Sequence, residues 1–155
     1  PGLRVGWCIA PKSLIAKFTA IKQTQDVHSN ILAQMIAYKF ITEYDFEGHL
    51  EKLRQLYVKK AKLCFDLMDK HLAHEIKFQK AKGGLFAWCK LPENVDMPEF
   101  CKKAVTEYKT AVVPGSAFDI APCKNQYFRI NYSTPTDEQI IKGMANLEEL
   151  KKSYM

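Results

Sequence analysis

The sequence has no apolar run of the 18 or more residues that a membrane-spanning helix needs, and its start lacks the charged-then-apolar order of a signal peptide. We therefore expect a cytoplasmic protein without a membrane partner. The chain begins with proline, and its opening letters PGLRVGW form a tight apolar segment, which predicts that it starts within a longer protein. With 155 residues, 47% of them hydrophobic, it is long enough for one ordinary core.

The motifs of several common enzyme classes are also missing. The chain contains no GxSxG, no P-loop and no Rossmann glycine fingerprint. Its four histidines do not share a metal-ligand spacing, so no metal site is predicted, and His71 and His74 are expected at the exposed end of a helix. The five cysteines are odd in number and widely spaced. We interpret them as reduced, mostly buried packing residues, with a redox or metal role as the alternative.

Arginine is scarce. Of 23 basic residues only Arg4, Arg54 and Arg129 are arginine. The net charge of +6 comes from scattered lysines, which indicates a solvated surface and not a nucleic-acid partner. Where lysine is used almost everywhere, a retained arginine indicates a need for the planar, bidentate guanidinium.

Hydrophobic periodicity predicts helices in the first half of the chain. Residues 3–10 form a short apolar run bounded by Gly2 and Pro11, which predicts a buried strand. Pro11 then begins a helix, and Ser29 is the expected cap of the next one. From Leu50 onward apolar residues recur at helical spacing, which predicts a one-sided helix of about seven turns.

The second half alternates between extended and helical patterns. Predicted strands cover residues 76–78, 85–91, 110–113 and 127–133, with a turn at residues 82–84. Capping boxes at Asp96 with Glu99 and at Thr136 with Gln139 predict two further helices. Residues 116–125 are expected to be irregular. Helices followed by a small sheet interleaved with helices predict an α+β fold.

Arg129 is the most informative single residue. In YFRINYS, period-two alternation places Tyr127, Arg129 and Asn131 on one face of a strand and the apolar residues on the other. A guanidinium in so apolar a strand is costly unless an anion meets it. A ligand carboxylate and an internal Asp or Glu are both possible partners.

Arg4 and the glycine pair at residues 83 and 84 each allow a functional and a structural interpretation as well. Arg4 lies in an apolar run beside Gly6, where it would suit either a phosphate or an internal salt bridge. Gly83 and Gly84 would let the backbone pass close to a ligand, or would simply form the turn between two strands.

Several motifs, taken in order, resemble the class I/II aminotransferases of fold type I, closest to the branch with 2-aminoadipate and aromatic aminotransferases. They are PGLRVGW, the P-x-x-L-I of residues 11–15, KQTQDVHSN followed by Gln34, EGHLEKLRQLY, KGGLFAW, VVPGSAF and YFRINYS with a following proline and threonine. The resemblance implies that residues 1–25 end the large, cofactor-binding domain. It implies that residues 26–155 comprise inter-domain helices, among them a long one, and the small C-terminal domain.

The resemblance also implies the chemistry. The intact protein would use pyridoxal 5'-phosphate to transfer an amino group from an amino acid to a 2-oxo acid such as 2-oxoglutarate, as a homodimer. By analogy Arg4 would bind the cofactor phosphate and Arg129 the substrate α-carboxylate, while Gly83 and Gly84 would border the substrate. The lysine that holds the cofactor as a Schiff base would lie upstream. This chain alone is therefore expected to be inactive, with no catalytic residue and no bound cofactor.

Two alternatives stay open. One is the effector domain of a GntR-type transcriptional regulator, in which an aminotransferase-like body follows a DNA-binding domain. The other is a free-standing interaction module, which would have a complete surface with no orphaned apolar face. The fragment interpretation predicts instead that residues 3–10 lack sheet neighbours and expose apolar surface.

Overall fold

The computed structural model describes residues 2–120 and 125–154. They divide into two units, one ending at Lys52 and the other beginning at Leu53. This boundary falls within α3 (Phe46–His71), the longest helix.

The first unit contains α1 (Lys12–Gln25), α2 (Ile31–Glu43) and the start of α3. The predicted strand at residues 3–10 is wrong, because these residues are irregular. Trp7 is 84% and Ile9 92% exposed. An apolar run becomes a strand only when a neighbour pairs its backbone N–H and C=O groups. The described part of this unit offers no such neighbour.

The cap of α2 is Asn30 and not Ser29. The Asn30 side chain accepts a hydrogen bond from the Ala33 amide at 3.1 Å. Ser29 is engaged in the preceding loop instead, where its hydroxyl accepts from Lys22 and its carbonyl from Gln34. Both residue types cap helices well, so the loop contacts decide between them.

The predicted seven-turn helix is confirmed by α3, which has 26 residues and buries Cys64, Phe65 and Met68. The prediction that His71 is exposed is wrong. His71 is half-buried, and its Nδ1 lies 2.6 Å from Glu148 Oε2. This contact joins the end of α3 to α5 (Asp137–Lys152).

The second unit carries a four-stranded antiparallel sheet in the order β1-β2-β4-β3. Its strands are β1 (Lys77–Phe78), β2 (Phe86–Lys90), β3 (Val113–Pro114) and β4 (Tyr127–Asn131). The predicted hairpin is confirmed by β1 and β2. β3 begins at the last residue of the strand predicted for 110–113, and Pro114 fits there because an edge strand can spare one backbone donor.

One face of the sheet packs against α3, α4 (Met97–Thr106) and α5 around a continuous hydrophobic core. Thr136 and Gln139 form the complete predicted capping box, and Asp96 accepts from the Glu99 amide at 2.8 Å. The α+β class is thereby confirmed. Among the described residues, no helix combines the length and apolarity needed to cross a membrane.

Three of the cysteines are core residues, as predicted. Cys64, Cys89 and Cys101 are buried, and burial raises the pKa of the Cys64 thiol to about 12 and that of Cys101 to about 11. Cys8 is exposed, and Cys123 lies outside the described residues. High thiol pKa values make the buried cysteines poor nucleophiles, which fits packing residues.

Candidate functional site

The two faces of β4 differ as the alternation predicted. Phe128 and Ile130 point into the core, at 0% and 6% exposure. Tyr127, Arg129 and Asn131 lie on the opposite face, which we call the outer face of the sheet. β4 is a central strand, so the backbone groups beside Arg129 pair with Trp88 of β2 and Val113 of β3. The Arg129 side chain therefore projects from a rigid base.

Aromatic rings surround Arg129 on the outer face. Its guanidinium carbon Cζ lies 4.0 Å from the ring centroid of Phe86 and 4.7 Å from that of Phe118. The buried Nε has no hydrogen-bond partner. Within the described part of the chain no Asp or Glu pairs with this guanidinium. Within the described residues the structure thus shows no internal salt bridge at Arg129, and its binding of a ligand carboxylate stays a prediction.

A buried N–H without a partner is uncommon and costs free energy, about 1–3 kcal/mol, unless a ligand or water satisfies it. A carboxylate meets this need well, because its two oxygens match the guanidinium edge in a bidentate pair. A planar anion is therefore the kind of ligand that the guanidinium of Arg129 would suit.

The aromatic cluster continues beyond Arg129. Trp88 stacks on Tyr127 at 5.8 Å between ring centroids and meets Phe118 edge-on at 5.7 Å. Lys90 Nζ lies 5.7 Å from the centre of the Tyr127 ring. Trp88 and Phe118 were not predicted as site residues from the sequence. The sequence of β2 could have indicated Trp88, because Phe86 and Trp88 alternate with the buried Ala87 and Cys89 and so lie on the outer face.

The predicted glycines lie directly before β2. Gly84 has φ 93°, a conformation that favours glycine, and a Cβ there would meet nothing within 4 Å. Its carbonyl accepts a hydrogen bond of 2.9 Å from the Tyr132 hydroxyl, and the Leu85 carbonyl accepts one from the Tyr132 amide. These bonds hold the glycine turn against the end of β4. Gly83 and Gly84 are therefore close in the fold to the strand that carries Arg129, and their contact with a ligand stays a prediction.

Arg4 lies in the irregular segment of the first unit. It is exposed and has φ 56°, an uncommon backbone conformation for arginine. Within the described residues it has no ion pair, so its guanidinium is available to an anion. The structure places Arg4 and Arg129 in different units.

A separate cavity of about 540 Å³ lies on the inner side, between α5, the chain before β3 and the end of β4. Asn146, which lines it, already donates to the Tyr108 carbonyl at 2.7 Å and to Thr110 Oγ1 at 3.2 Å. Two buried side-chain atoms of the described residues lack a hydrogen-bond partner, Arg129 Nε and the Tyr154 hydroxyl, and because Arg129 is the charged one we place the candidate site there, on the outer face. Among the described residues, no cluster of His, Cys, Asp and Glu could hold a metal ion.

A sequence profile named "Aminotransferase class I and II" matches residues 1–147. The chain belongs to the class I and II aminotransferase family. It is 30% identical over 155 residues to aromatic-amino-acid aminotransferase 1 of Thermococcus litoralis, covering 100% of this chain and 37% of that protein.

A solved aminotransferase structure has the same fold. The α-aminoadipate aminotransferase of Thermus thermophilus, complexed with N-(5'-phosphopyridoxyl)-L-leucine, matches with a TM-score of 0.84 and 30% identity, covering 99% of this chain and 39% of that one. The fold type I assignment is thereby confirmed. The chain spans less than two fifths of the length of these two aminotransferases.

A transcriptional regulator is also similar to this chain. An uncharacterized HTH-type transcriptional regulator of Bacillus subtilis is 30% identical over 147 residues, which is 95% of this chain and 30% of the regulator. Family membership therefore fixes the fold, and the function needs a separate argument from the site.

Proposed function

We propose that this chain supplies the substrate-carboxylate site of a pyridoxal-phosphate-dependent aminotransferase. The observation that carries the proposal is Arg129, whose guanidinium lies among aromatic rings on the outer face with a buried, unpaired Nε and no acidic partner in the described residues. An amino acid and a 2-oxo acid share an α-carboxylate, so one arginine serves both halves of an amino transfer.

Arg129 would bind this carboxylate through a pair of parallel N–H donors. A bidentate contact fixes the rotation of the bound acid as well as its position. The surrounding rings exclude water, which strengthens the charge-assisted hydrogen bonds. Arg129 thus orients the α-carbon, and it moves no proton. Gly83 and Gly84 would border the substrate, because their turn is tied to the end of β4.

The residues present also fit the cofactor. Arg4 is an exposed guanidinium without an ion pair in the described chain, and phosphate is a good ligand for such a group. When bound, pyridoxal phosphate supplies the electron sink that amino transfer requires. Arg4 would hold its phosphate group. No lysine of this chain is assigned a covalent role in the proposal.

The proposal treats the chain as the C-terminal part of the enzyme, in line with its coverage of less than two fifths of the matched aminotransferases. Residues 1–25 would end the large domain, and residues 26–155 would comprise the inter-domain helices, including α3, and the small domain. The first structural unit extends further than residue 25, to Lys52. The intact enzyme would act in the cytoplasm.

We also propose that the intact enzyme is a homodimer. Ile31, Leu32, Met35 and Ile36 of α2 are all exposed, although the helix is mostly apolar. Contiguous apolar surface of this kind is typical of protein–protein contacts. Light scattering of the full-length enzyme tests this, and a monomer at micromolar concentration would contradict it.

Titration with pyridoxal phosphate, followed by borohydride reduction and peptide mass analysis, tests the assignment of the lysines. We expect no stoichiometric adduct at a single lysine of this chain. A single-site adduct would mean that a lysine within these 155 residues holds the cofactor, and the placement of the active site would have to be abandoned.

Calorimetric titration with 2-oxoglutarate tests the role of Arg129. We expect Arg129→Gln to weaken binding about tenfold or more, since it removes charge-assisted hydrogen bonds. Arg54→Gln is the matched control, because Arg54 is an exposed arginine on α3. Equal affinities for the Arg129 variant and the wild type would contradict the proposal.

The identity to an HTH-type regulator favours a second candidate, an effector domain that senses pyridoxal phosphate behind a DNA-binding domain. The full-length protein separates the two functions. An enzyme turns over amino acid and 2-oxo acid with bound pyridoxal phosphate, whereas a regulator binds the cofactor and a DNA operator without turnover.

A further inference from the structure

The Arg129 guanidinium is held by rings where an acidic side chain would be usual. Phe86 and Phe118 both lie within 5 Å of Cζ, at 4.0 and 4.7 Å from their ring centroids. These are distances at which a cation is attracted to the face of an aromatic ring. Within the described residues the guanidinium has no hydrogen bond or ion pair, and these two rings are its cation–π partners.

Both rings are fixed by the fold. Phe86 pairs in register with Asn131, which makes it the diagonal cross-strand neighbour of Arg129. Phe118 ends a single 3-10 turn, Gly115–Phe118, that follows β3. A Cβ at Gly115 would lie 2.8 Å from the Tyr127 carbonyl oxygen, so only glycine lets this turn approach β4 so closely.

Phe118 also packs against Trp88, edge-on, with 5.7 Å between the ring centroids. Trp88 in turn stacks on Tyr127. The ring over Arg129 is thus part of a packed cluster and does not depend on one contact. Its position is set by two strands and the turn together.

Aromatic partners affect the guanidinium differently from an acidic partner. An acidic partner would neutralise the guanidinium and occupy its N–H groups, whereas a phenyl ring attracts the cation and leaves the N–H edge free. We propose that Phe86 and Phe118 are positioning residues, which hold the Arg129 guanidinium ready for a substrate α-carboxylate without using its hydrogen-bond donors. This inference rests on the proposed function.

The test combines calorimetry with NMR of the Arg129 Nε–Hε group, using the 155-residue chain and 2-oxoglutarate. In the free wild type the rings should shift the Hε resonance away from the position of a solvent-exposed arginine. Phe86→Leu and Phe118→Leu should each reduce that shift and weaken 2-oxoglutarate binding about fivefold. Phe86→Tyr keeps a ring and should bind as the wild type does.

Tyr127→Leu is the matched control. Tyr127 is on the outer face and on the same strand as Arg129, but its ring contacts are with Trp88 and Lys90. Removing it should leave both the Hε resonance and the affinity close to wild type. A merely structural role for the outer-face rings would make all three leucine variants equivalent.

The outcomes separate the positioning role from the proposed function. If Arg129→Gln loses binding while both phenylalanine variants keep wild-type affinity, the positioning role is wrong and the carboxylate site stands. If Arg129→Gln binds 2-oxoglutarate as tightly as wild type, the proposed function fails. Should a leucine variant unfold, the wild-type Hε resonance decides, since a position equal to that of a solvent-exposed arginine would overturn the positioning role.

Discussion

Phe128 and Arg129 are neighbours in β4, yet their surroundings are opposite. Phe128 is 0% exposed and meets Phe100 of α4 at 5.6 Å between ring centroids. Arg129 lies on the outer face, with a buried Nε that nothing in the described chain satisfies. On the inner face, aromatic side chains pack in the core. On the outer face, the rings of Phe86 and Phe118 contact the charged guanidinium of Arg129. The same strand thus supplies both the core and the candidate site.

The largest effect should come from the inner face. Phe128→Ala should lower the free energy of unfolding by about 3–5 kcal/mol, because it leaves a cavity in a fully packed core. Urea unfolding of the pure chain measures this. Tyr127→Ala is the outer-face control and should cost about 1 kcal/mol, mainly the stack on Trp88. Equal losses for the two variants would remove the distinction between the faces.

Removing the N-terminal cap of α5, a helix that packs on the inner face, should have a smaller effect. Thr136→Ala removes the capping box of α5, whose Ile140, Met144 and Leu147 are buried. The expected loss is about 1 kcal/mol in thermal or urea unfolding. Thr106→Ala is the control, since its hydroxyl donates to the carbonyl of Lys102 in the same helix. If both threonine variants behaved alike, the capping box would not contribute to stability.

Arg129→Leu should change the free energy of unfolding by less than about 1 kcal/mol. It removes the contacts with two rings, but it also removes a buried N–H without a partner, and the two effects oppose each other. The measurement is again urea unfolding, beside Phe128→Ala. A loss as large as that of the core variant would mean that Arg129 is a structural residue and that the outer face is not free for a ligand.

The smallest effect concerns pH. The hydrogen bond from His71, with help from Lys152, lowers the pKa of Glu148 below its ordinary value of 4.5. Its stabilising contribution is therefore present above the unfolded-state pKa and is lost as the pH falls through the lower, folded-state pKa. Glu148→Gln and His71→Asn should both lose stability less steeply than wild type below pH 4.5. If the free energy of unfolding of both variants fell with pH as steeply as that of the wild type, this prediction would be wrong.

Local patterns were sufficient for most of the second unit. The alternation in YFRINYS gave the correct faces of β4, and the helical spacing from Leu50 onward predicted α3. These predictions succeeded because each pattern is matched by a partner within the unit. The apolar run at residues 3–10 has the same character but meets no strand in the described chain, so it stays irregular and exposed.

The site could be predicted only in part. Arg129 was identifiable because a guanidinium in an apolar strand is unusual. Phe118 was not, because it reaches Arg129 through a turn that closes onto β4 at Gly115, and no local periodicity encodes that contact. The half-buried state of His71 was missed for the same reason, since its partner Glu148 is 77 residues away in the sequence.

The central claim is that the Arg129 guanidinium binds a carboxylate. The most direct measurement is an NMR titration of its Nε–Hε resonance with pyruvate and, in parallel, with methyl pyruvate, which lacks the charge. We predict a saturable downfield shift with pyruvate and none with the ester. An unchanged resonance with pyruvate, or equal shifts with both compounds, would contradict the claim.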